Sequence, residues 1–404
     1  MTPTLREHTL DHLVQQHDAH HEGRRARERA FELKDEQDRH QFPRGKWRRG
    51  MSDEQIQRLA EQGRGSRGVP PDKIESMAKW LELEEEIDQL FAKADRLREQ
   101  AIAETLDAAD VVCTTNSTAG SQLLADRTFD LLVLDEATQA TEPSAWIPIT
   151  HADKVVMAGD HRQLPPTVIN EDAARRGLRE SLFERVADTH GDTVLDLLDT
   201  QYRMHEDIMA FSAERFYDDR LAADPSVREH TLADLDVDLD SLAPASLEVL
   251  APEDPVVFLD PGEDAAERTP PGSPSKENPR EAEIVADLAQ ALLAAGLTPE
   301  DVAVITPYAA QTDRIDGMID AEEIEVDTVD GFQGREKEAV LLSLVRSNPR
   351  GEIGFLADLR RLNVALTRAK RKLVVVGDSG TIATEDTYAA FLAHAEETGR
   401  RLSA

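Results

Sequence analysis

This chain of 404 residues contains two successive regions that differ in their pattern of apolar and polar positions. Up to about residue 108 the chain is highly charged, and from Ile74 its apolar positions fall mostly three or four apart. That spacing places one apolar stripe on a long helix, formed by Met77, Leu81, Ile87, Leu90, Phe91, Leu97 and Ile102. From Ala109 short apolar runs alternate with polar loops and helical stretches, which predicts strands alternating with helices.

Seven apolar runs mark the predicted strands, at residues 111–113, 131–134, 155–157, 256–259, 302–305, 339–344 and 373–376. Strands that alternate with helices form parallel sheets covered on both faces, so these runs should be buried. Residues 219–280 are rich in Asp, Pro and Ser, which predicts surface connections flanking one strand. The hydrophobic pattern therefore predicts an α/β fold preceded by a helical segment.

The charge balance is strongly acidic, with 80 acidic and 46 basic residues and a net charge of −34. Only 10 of the basic residues are lysines and few residues are aromatic, a composition that resembles halophilic proteins from a salt-rich cytoplasm. In molar salt the Debye length is about 3 Å, so self-repulsion is screened. The charge therefore does not exclude a polyanionic partner, and the recurring strand-like runs disfavour a long disordered chain.

Cysteine content and hydropathy narrow the class of protein further. The single cysteine, Cys113, excludes an internal disulfide and a cysteine zinc site. No apolar run has the length of a membrane span, and the start of the chain carries no secretory signal. We therefore expect a soluble, cytoplasmic protein without a membrane partner.

Two features of the first region leave alternatives open. His8 and His12 are four residues apart, as are His17 and His21, the spacing of metal ligands on one helix face. No third ligand is evident nearby, so a solvated helix surface is favoured. Residues 42–50 form a basic loop with a tryptophan, which could contact a phosphate backbone. A solvated linker explains this loop equally well.

Two acids, Asp135 and Glu136, follow the run at residues 131–134. Parallel sheets bind ligands at the carboxyl ends of their strands. An acid there can hold Mg²⁺ on a nucleotide, and a neighbouring acid can polarise the attacking water. We assign the metal to Asp135 and the water to Glu136. Strand-end acids also commonly cap the next helix, which is the alternative.

The next predicted strand runs into a second polar loop, which contains Gly159, Asp160 and Gln163. Glycine lets the backbone turn sharply beside a ligand, and Pro165 with Pro166 stiffens the loop. Gln163 could then sense a phosphate or position a water molecule. An ordinary tight loop is the alternative.

Three further segments carry groups suited to a nucleotide. Arg203 suits a terminal phosphate, because its planar fork pairs two oxygens at once. Glu336 follows Gln333 and Gly334 in a glycine-containing loop, where its carboxylate could accept hydrogen bonds from a ribose. Residues 360–370 predict a helix with grouped basic residues, from which Arg368 could act as an arginine finger. A solvated basic face is the alternative for that helix.

Together and in this order, these segments resemble the superfamily 1 helicases that travel 5′ to 3′. The subgroup is that of the nonsense-mediated-decay helicase, the immunoglobulin mu-binding helicase and the helicase half of the Okazaki-processing nuclease-helicase. The resemblance covers roughly residues 109–378, and residues 1–108 resemble more loosely the helical insertion of that group. The matching segments are residues 114–116, 135–143, 159–166, 201–205, 306–308, 330–337 and 363–370.

The resemblance implies an α/β fold with two RecA-like P-loop NTPase domains, the first incomplete, and an N-terminal helical insertion. It implies the insertion at residues 1–108, the remainder of the first RecA-like domain at 109–190 and the second at 191–404. It implies ATP and Mg²⁺ as ligands, and single-stranded nucleic acid as partner, with DNA favoured over RNA. The leading prediction is an ATP-dependent helicase or translocase motor.

The resemblance also implies roles for particular residues. Asp135 and Glu136 match the acidic pair for Mg²⁺ and water activation. Gln163, Arg203 and Arg368 match the groups that contact the terminal phosphate. The implied nucleotide-binding residues are Gly159, Asp160, Gln333, Gly334 and Glu336. The residues in or beside segments that line the single-strand channel are Thr114, Thr115, Asn116, Thr306, Pro307 and Tyr308.

One family element is missing from the sequence, the phosphate loop, which needs glycine-rich backbone, a lysine and a hydroxyl. The only Gly-Lys pair, Gly45-Lys46, precedes Trp47, and the glycine-rich residues 63–68 contain no lysine. We expect the first RecA-like domain to lack strands and to expose apolar side chains, and a second chain is one source of the loop. The alternative function is a catalytically inactive truncated or split-gene fragment that binds single strands. A nuclease-helicase is disfavoured, because no nuclease-sized region remains.

Overall fold

The computed structural model describes residues 3–262, 264–319 and 324–404, and the chain forms two compact units, residues 1–115 and 116–404. The first unit is helical, as the sequence pattern predicts. Its α-helices are α1 (Pro3–Arg6), α2 (Leu10–Gln16), α3 (Asp18–Gln37), α4 (Asp53–Glu61) and α5 (Pro71–Asp107). The predicted division of the second unit at residue 190 stays a prediction.

The long pair α3 and α5 runs antiparallel and forms most of the first unit. Pro71 begins α5, at the position where the missing amide hydrogen costs nothing. Ile87 of the predicted stripe is buried against Leu33 of α3. Gly23 allows close approach, because a Cβ there would lie 3.1 Å from the Ala94 carbonyl oxygen.

A smaller core joins the ends of this helix pair. The buried side chains of Met51, Ile56, Val69, Ile74 and Met77 pack together there, around α4. Ser52 begins α4 with a reciprocal capping box, in which its hydroxyl accepts the Gln55 amide hydrogen and the Gln55 side chain accepts the Ser52 amide hydrogen. The basic loop at residues 42–50 leads into this capped helix.

The histidine pairs of the first unit are engaged locally. His17 begins α3, where its Nδ1 accepts the Ala19 amide hydrogen, and its Nε2 lies 3.0 Å from a Glu104 carboxylate oxygen. Within the described ranges, no group of three or more His, Cys, Asp or Glu side chains is arranged to hold a metal ion. Nor does any helix in those ranges combine the length and apolarity needed to cross a bilayer.

The second unit alternates strands and helices. Its strands are β1 (Leu132–Leu134), β2 (Val155–Met157), β3 (Thr200–Gln201), β4 (Ala222–Ala223), β5 (Val256–Asp260), β6 (Val302–Thr306), β7 (Glu325–Thr328), β8 (Lys337–Ser343), β9 (Ala369–Val376) and β10 (Arg400–Ser403). Its α-helices are α6 (Asn116–Ala119), α7 (Glu142–Ile149), α8 (Glu171–Ala173), α9 (Leu182–His190), α10 (Glu206–Phe216), α11 (Pro244–Leu250), α12 (Pro279–Ala294), α13 (Ala309–Asp316), α14 (Leu359–Leu366), α15 (Ser379–Ile382) and α16 (Asp386–Thr398).

The larger sheet is parallel, in the order β10-β5-β9-β8-β6-β7. Its inner strands β5, β6, β8 and β9 are largely buried on both faces, as the continuous apolar runs predict, whereas the edge strands β7 and β10 are partly exposed. Along β5, Phe258 packs with α10 and α16, whereas Val257 packs with α12 on the opposite face. This alternation gives helices on both sides of the sheet and confirms the predicted α/β class.

Strands β1 and β2 pair in parallel, and strands β3 and β4 form a second two-stranded sheet. The prediction that β1 and β2 are buried was wrong for one of their faces. One face packs on α7 and α9, and there Leu134 is buried. On the other face Val133 is 60% and Val156 46% exposed, and Leu131 just before β1 is 48% exposed. In the described ranges this sheet has two strands, and that face is not covered.

Two other predictions of local structure were wrong. The run at residues 111–113 forms no strand, and Val111 is 77% exposed, because it has no paired strand among the described residues. The stretch at residues 219–280 is more than surface connection around one strand. It also contains α11, and its Leu232 and Leu250 are fully buried against the large sheet's helices.

Candidate nucleotide-binding site

Asp135 and Glu136 are exposed at the carboxyl end of β1. The Glu136 amide donates to Asp135 Oδ1 over 3.0 Å, and Gln139 Nε2 donates to Glu136 Oε2 over 2.5 Å. Glu136 has a left-handed φ of 51°, which is uncommon for a residue with a side chain and recurs at functional sites. Its side chain does not cap the short helix that follows, so the capping alternative does not account for it.

The loop after β2 is held by Asp160. Its Oδ1 accepts the Arg162 amide hydrogen over 2.9 Å, and its Oδ2 accepts a hydrogen bond from Gln163 Nε2 over 2.8 Å. Glycine is required just before it, because a Cβ on Gly159 would lie 3.0 Å from the Thr138 amide nitrogen. These contacts fix the position of the Gln163 side chain.

Arg368 meets this loop from the far end of the sequence. Its Nη2 donates to Gln163 Oε1 over 3.1 Å, although 205 residues separate the two. Its Nε and Nη1 donate to the carbonyl oxygens of Val364 and Arg335. Burial, followed by the charge of Arg203, lowers the pKa of Arg368 to about 10, so the guanidinium stays charged at neutral pH.

The placement of Arg368 corrects the predicted helix over residues 360–370. Helix α14 ends at Leu366, and Arg368 lies in the turn before β9. The side chain is also not part of a solvated basic face, because Arg368 is only 3% exposed. A buried guanidinium with no carboxylate partner among the described residues is a site for an anion.

Arg203 and Glu336 form an ion pair beside Arg368. Arg203 Nη1 also donates to the Thr367 carbonyl oxygen over 3.1 Å, and Lys370 Nζ lies 3.3 Å from Glu336 Oε1. Burial alone would raise the pKa of Glu336, but the contacts with Arg203 and Lys370 lower it. The Glu336 carboxylate is therefore charged and engaged by cations, and its contact with a ribose stays a prediction.

The glycine-containing loop between β7 and β8 presents the remaining predicted nucleotide contacts. Gln333 is half-buried and Gly334 is exposed, and both precede Glu336. The structure therefore brings Gln163, Arg203, Glu336 and Arg368 together, and the charge of Glu136 acts on Arg368 as well.

Sequence reasoning missed Tyr217, which lies just after α10 and outside the matched segments. Its hydroxyl donates to Asp160 Oδ2 over 2.5 Å and accepts a hydrogen bond from Asn363 Nδ2 over 2.8 Å. Burial and the charge of Asp160 raise the pKa of Tyr217, so the phenol keeps its proton. Tyr217 thus joins the β2 loop to α14. No spacing or composition signal in the sequence marks it.

The predicted strand-binding residues have mixed placements. Thr114 and Thr115 are exposed at the end of the first unit, and Asn116 begins α6. The side chains of Thr306 and Tyr308 are buried. The Tyr308 hydroxyl accepts hydrogen bonds over 3.4 Å from Arg346 Nη1 and from the Phe355 amide. Pro307, between the two buried residues, is partly exposed.

The donor set fits the terminal phosphate of a nucleotide. Two guanidiniums converge there, and one of them, Arg368, has carbonyl and amide partners but no carboxylate in the described part of the chain. Mg²⁺ usually takes one or two carboxylates together with phosphate oxygens and water, so Asp135 alone suffices as a protein ligand. The sequence supplies no lysine-bearing glycine loop for the other phosphates.

Comparisons with known proteins agree with this chemistry. Two family models, each described as an AAA domain, match residues 1–171 and residues 178–380. An uncharacterized ATP-dependent helicase of Methanocaldococcus jannaschii is 40% identical over 95% of this chain and 56% of its own length. The DNA-binding protein SMUBP-2 of Mus musculus is 44% identical over 74% of this chain and 30% of its own length.

Two further matches are less similar to this chain. A regulator of nonsense transcripts 1 homolog of Neurospora crassa is 38% identical over 74% of this chain and 27% of its own length. A solved arterivirus nonstructural protein 10 (helicase) with DNA covers 65% of this chain and 43% of that chain at 15% identity. Its TM-score of 0.32 is too low to establish corresponding positions. The chain spans about half the length, or less, of the curated relatives named above.

Proposed function

Because this chain belongs to the AAA-domain helicases of superfamily 1, in the subgroup of SMUBP-2 and the regulators of nonsense transcripts, we propose that it is the ATP-hydrolysing motor of a helicase or translocase. The observation that carries the proposal is the contact of Arg368 with Gln163, beside Arg203 and Glu136. DNA is favoured as the strand, because SMUBP-2 is described as a DNA-binding protein.

Each side chain of the site has a proposed part in hydrolysis. Asp135 is placed to hold Mg²⁺, and Glu136 to orient and polarise a water molecule. ATP, when bound, supplies the phosphoanhydride bond that is broken. Arg203 and Arg368 provide positive charge where negative charge develops, in a site where burial strengthens the interaction. Gln163 links Arg368 to the β2 loop, so binding of the terminal phosphate at Arg368 would also affect the position of this loop.

We propose that Thr114, Thr115, Asn116, Thr306, Pro307 and Tyr308 lie along the path of the single strand. Thr306 and Tyr308 are buried, so their part is to shape the end of β6 rather than to contact the strand directly. Partly exposed Pro307 is the side chain of that segment that is placed for contact.

We also propose that the exposed face of β1 and β2 packs against polypeptide that carries a phosphate loop. The apolar side chains of Leu131, Val133 and Val156 support this, because exposed apolar groups on a two-stranded sheet are unfavourable in water. The covering polypeptide is either more of the same chain or a second chain. Complementation with a separately produced phosphate-loop segment tests whether such polypeptide covers this face.

The test is ATP hydrolysis by the purified chain in molar KCl with Mg²⁺, with and without single-stranded DNA. With a separately produced phosphate-loop segment added, we expect strand-stimulated turnover, and a loss of at least about a hundredfold in Glu136→Gln. Glu171→Gln, the same change at an exposed site on α8, is the control and should keep the wild-type rate.

A different result supports the second candidate function. A folded chain that binds single strands but shows no turnover is an inactive fragment by itself. If an added phosphate-loop segment then restores hydrolysis that Glu136→Gln abolishes, the proposal of a motor is supported. If nothing restores hydrolysis, the proposal of a motor is wrong for this chain.

A further inference from the structure

A basic surface in the first unit is not used by the proposed ATP site. Between α3 and α5, residues 39–73 contain nine basic and four acidic residues, in a chain whose net charge is −34. We call this segment the basic tip. Its loop at residues 44–50 contains four basic residues and no acid. A local reversal of charge against so acidic a background points to an anionic partner.

Two arginines of the basic tip hold each other in a reciprocal pair. Arg49 Nη1 donates to the Arg67 carbonyl oxygen over 2.7 Å, and Arg67 Nη1 donates to the Arg49 carbonyl oxygen over 2.7 Å. Both arginines have left-handed backbones, with φ of 43° and 52°, and each precedes a left-handed glycine, Gly50 or Gly68. Left-handed backbone is unfavourable for arginine, so the surrounding structure imposes this arrangement.

Close packing explains why glycine follows each arginine. A Cβ on Gly50 would lie 3.1 Å from Arg67 Nη1, and a Cβ on Gly68 would lie 3.0 Å from Arg49 Nη1. The turn that carries Arg67 is closed by paired hydrogen bonds between Ser66 and Val69. Each guanidinium is therefore held in place against the backbone of the other arginine's turn.

This arginine pair has no counter-charge of its own. Among the described residues, no carboxylate lies within ion-pair distance of Arg49 or Arg67, whereas neighbouring Arg48 is paired with Asp53 at 2.8 Å. Both side chains are exposed. Arg49 Nε also donates to the Lys46 carbonyl oxygen over 3.0 Å. Two exposed guanidiniums that the fold holds in place without an acid are suited to phosphate oxygens, which can accept from their remaining N–H groups.

The aromatic rings of the basic tip already contact other side chains, although Phe42 is 47% exposed. Trp47 packs on the small core of the tip, with Lys46 Nζ 4.9 Å and Lys73 Nζ 5.8 Å from its ring centre. Phe42 lies against Trp80 with ring centres 4.7 Å apart. Proteins that bind single strands usually stack bases on free aromatic rings. The basic tip therefore fits phosphates displayed at fixed spacing by a duplex, rather than unstacked bases.

We propose that Arg49 and Arg67 form a phosphate site through which the basic tip binds the backbone of double-stranded nucleic acid. The inference rests on the proposed function only in taking nucleic acid as the partner, since it needs no ATP. Binding there is independent of base sequence, because phosphate contacts carry no sequence information.

The experiment is a fluorescence-anisotropy titration of the full chain with a labelled DNA hairpin duplex and with a labelled poly-dT strand, over a KCl series. In Arg49→Gln/Arg67→Gln we expect about tenfold weaker duplex binding. We expect a salt slope reduced by about one to two, and little change for poly-dT. Arg96→Gln/Arg98→Gln is the control. It makes the same charge change on exposed residues of α5 and should bind as wild type does.

Two further measurements separate binding from folding of the tip. Arg49→Lys/Arg67→Lys keeps the charge but loses the forked donors, and should bind with intermediate affinity. In the wild-type chain, duplex should protect Arg49 and Arg67 from phenylglyoxal, while Arg96 and Arg98 stay reactive. Equal affinity losses in the pair and the control, or no protection, would overturn the inference. Strand-stimulated ATP hydrolysis could persist in either case, so the proposed function is tested separately.

Discussion

Tyr217 positions other residues of the candidate site. It has no predicted contact of its own with the nucleotide. Its hydroxyl stands between Asp160 and Asn363, and Asp160 in turn holds Gln163 against Arg368. We expect Tyr217→Phe to lower the free energy of unfolding by about 1–2 kcal/mol, because a buried hydrogen-bonded pair loses its partner. We also expect it to slow ATP hydrolysis by about tenfold through misplacement of Gln163.

The matched control for this prediction is Tyr388→Phe. Tyr388 is buried, and its hydroxyl donates to the Leu356 carbonyl oxygen over 3.0 Å. Urea unfolding should show a comparable loss of stability in both variants, whereas only Tyr217→Phe should change the hydrolysis rate. Equal rates in the two variants would show that Tyr217 has a structural role alone.

Whether a residue could be predicted as part of the site depended on its position relative to the strands. Asp135, Glu136 and Gln163 are predicted as site residues because each lies in a loop that follows an apolar run, where parallel sheets bind ligands. Tyr217 was not identifiable, because its partners are 57 and 146 residues away in the chain. The burial of Arg368 was also missed, since a basic residue next to a predicted helix is usually solvated.

At the scale of elements, α12 and the end of β8 are joined by a buried carboxyl group. Glu281 Oε2 accepts hydrogen bonds from Ser343 Oγ and from the Val345 amide, each over 2.7 Å. Val345 has a left-handed φ of 70°, which is unfavourable for a β-branched residue. Glu281 therefore holds a strained turn in place, and burial raises its pKa to about 8.

The burial of Glu281 makes stability depend on pH, because burial raises the pKa more than the two hydrogen bonds lower it. The folded-state pKa lies above the ordinary value, so the stabilising contribution is complete below about pH 4.5 and is lost as pH rises to about 8. In urea unfolding at about pH 5 and pH 8, we expect wild type to lose about 1 kcal/mol or more relative to Glu281→Gln. Glu283→Gln, on the exposed face of the same helix, should follow wild type. Parallel pH profiles for wild type and Glu281→Gln would contradict the prediction.

Elements were predicted by their own apolar runs, but their environment was not. The runs at residues 256–259, 302–305, 339–344 and 373–376 became strands of the large sheet, because neighbouring strands were present to pair with them. The run at 111–113 had no such partner and stayed irregular. Pairing is a property of two segments, and a single run carries no information about its partner.

At the scale of the whole molecule, the charge of −34 predicts dependence on salt. Self-repulsion of the acidic surface opposes the compact state, and salt screens it. We expect the midpoint of thermal unfolding to rise steadily between about 0.1 and 2 M KCl. Sucrose, an uncharged osmolyte, is the control and should have a smaller effect. A midpoint that does not change with KCl would contradict a halophilic origin of the composition.

The seating of Leu164 has a consequence for how the protein is made. This residue of the β2 loop is buried with Met204 and Ile208, in the core that packs on the large sheet. The neighbouring Gln163 contacts Arg368, which the ribosome adds 205 residues later. At ordinary rates of synthesis this delay is roughly 10–40 seconds. The β2 loop therefore emerges early in synthesis but can make its final contacts only when the end of the large sheet has been added.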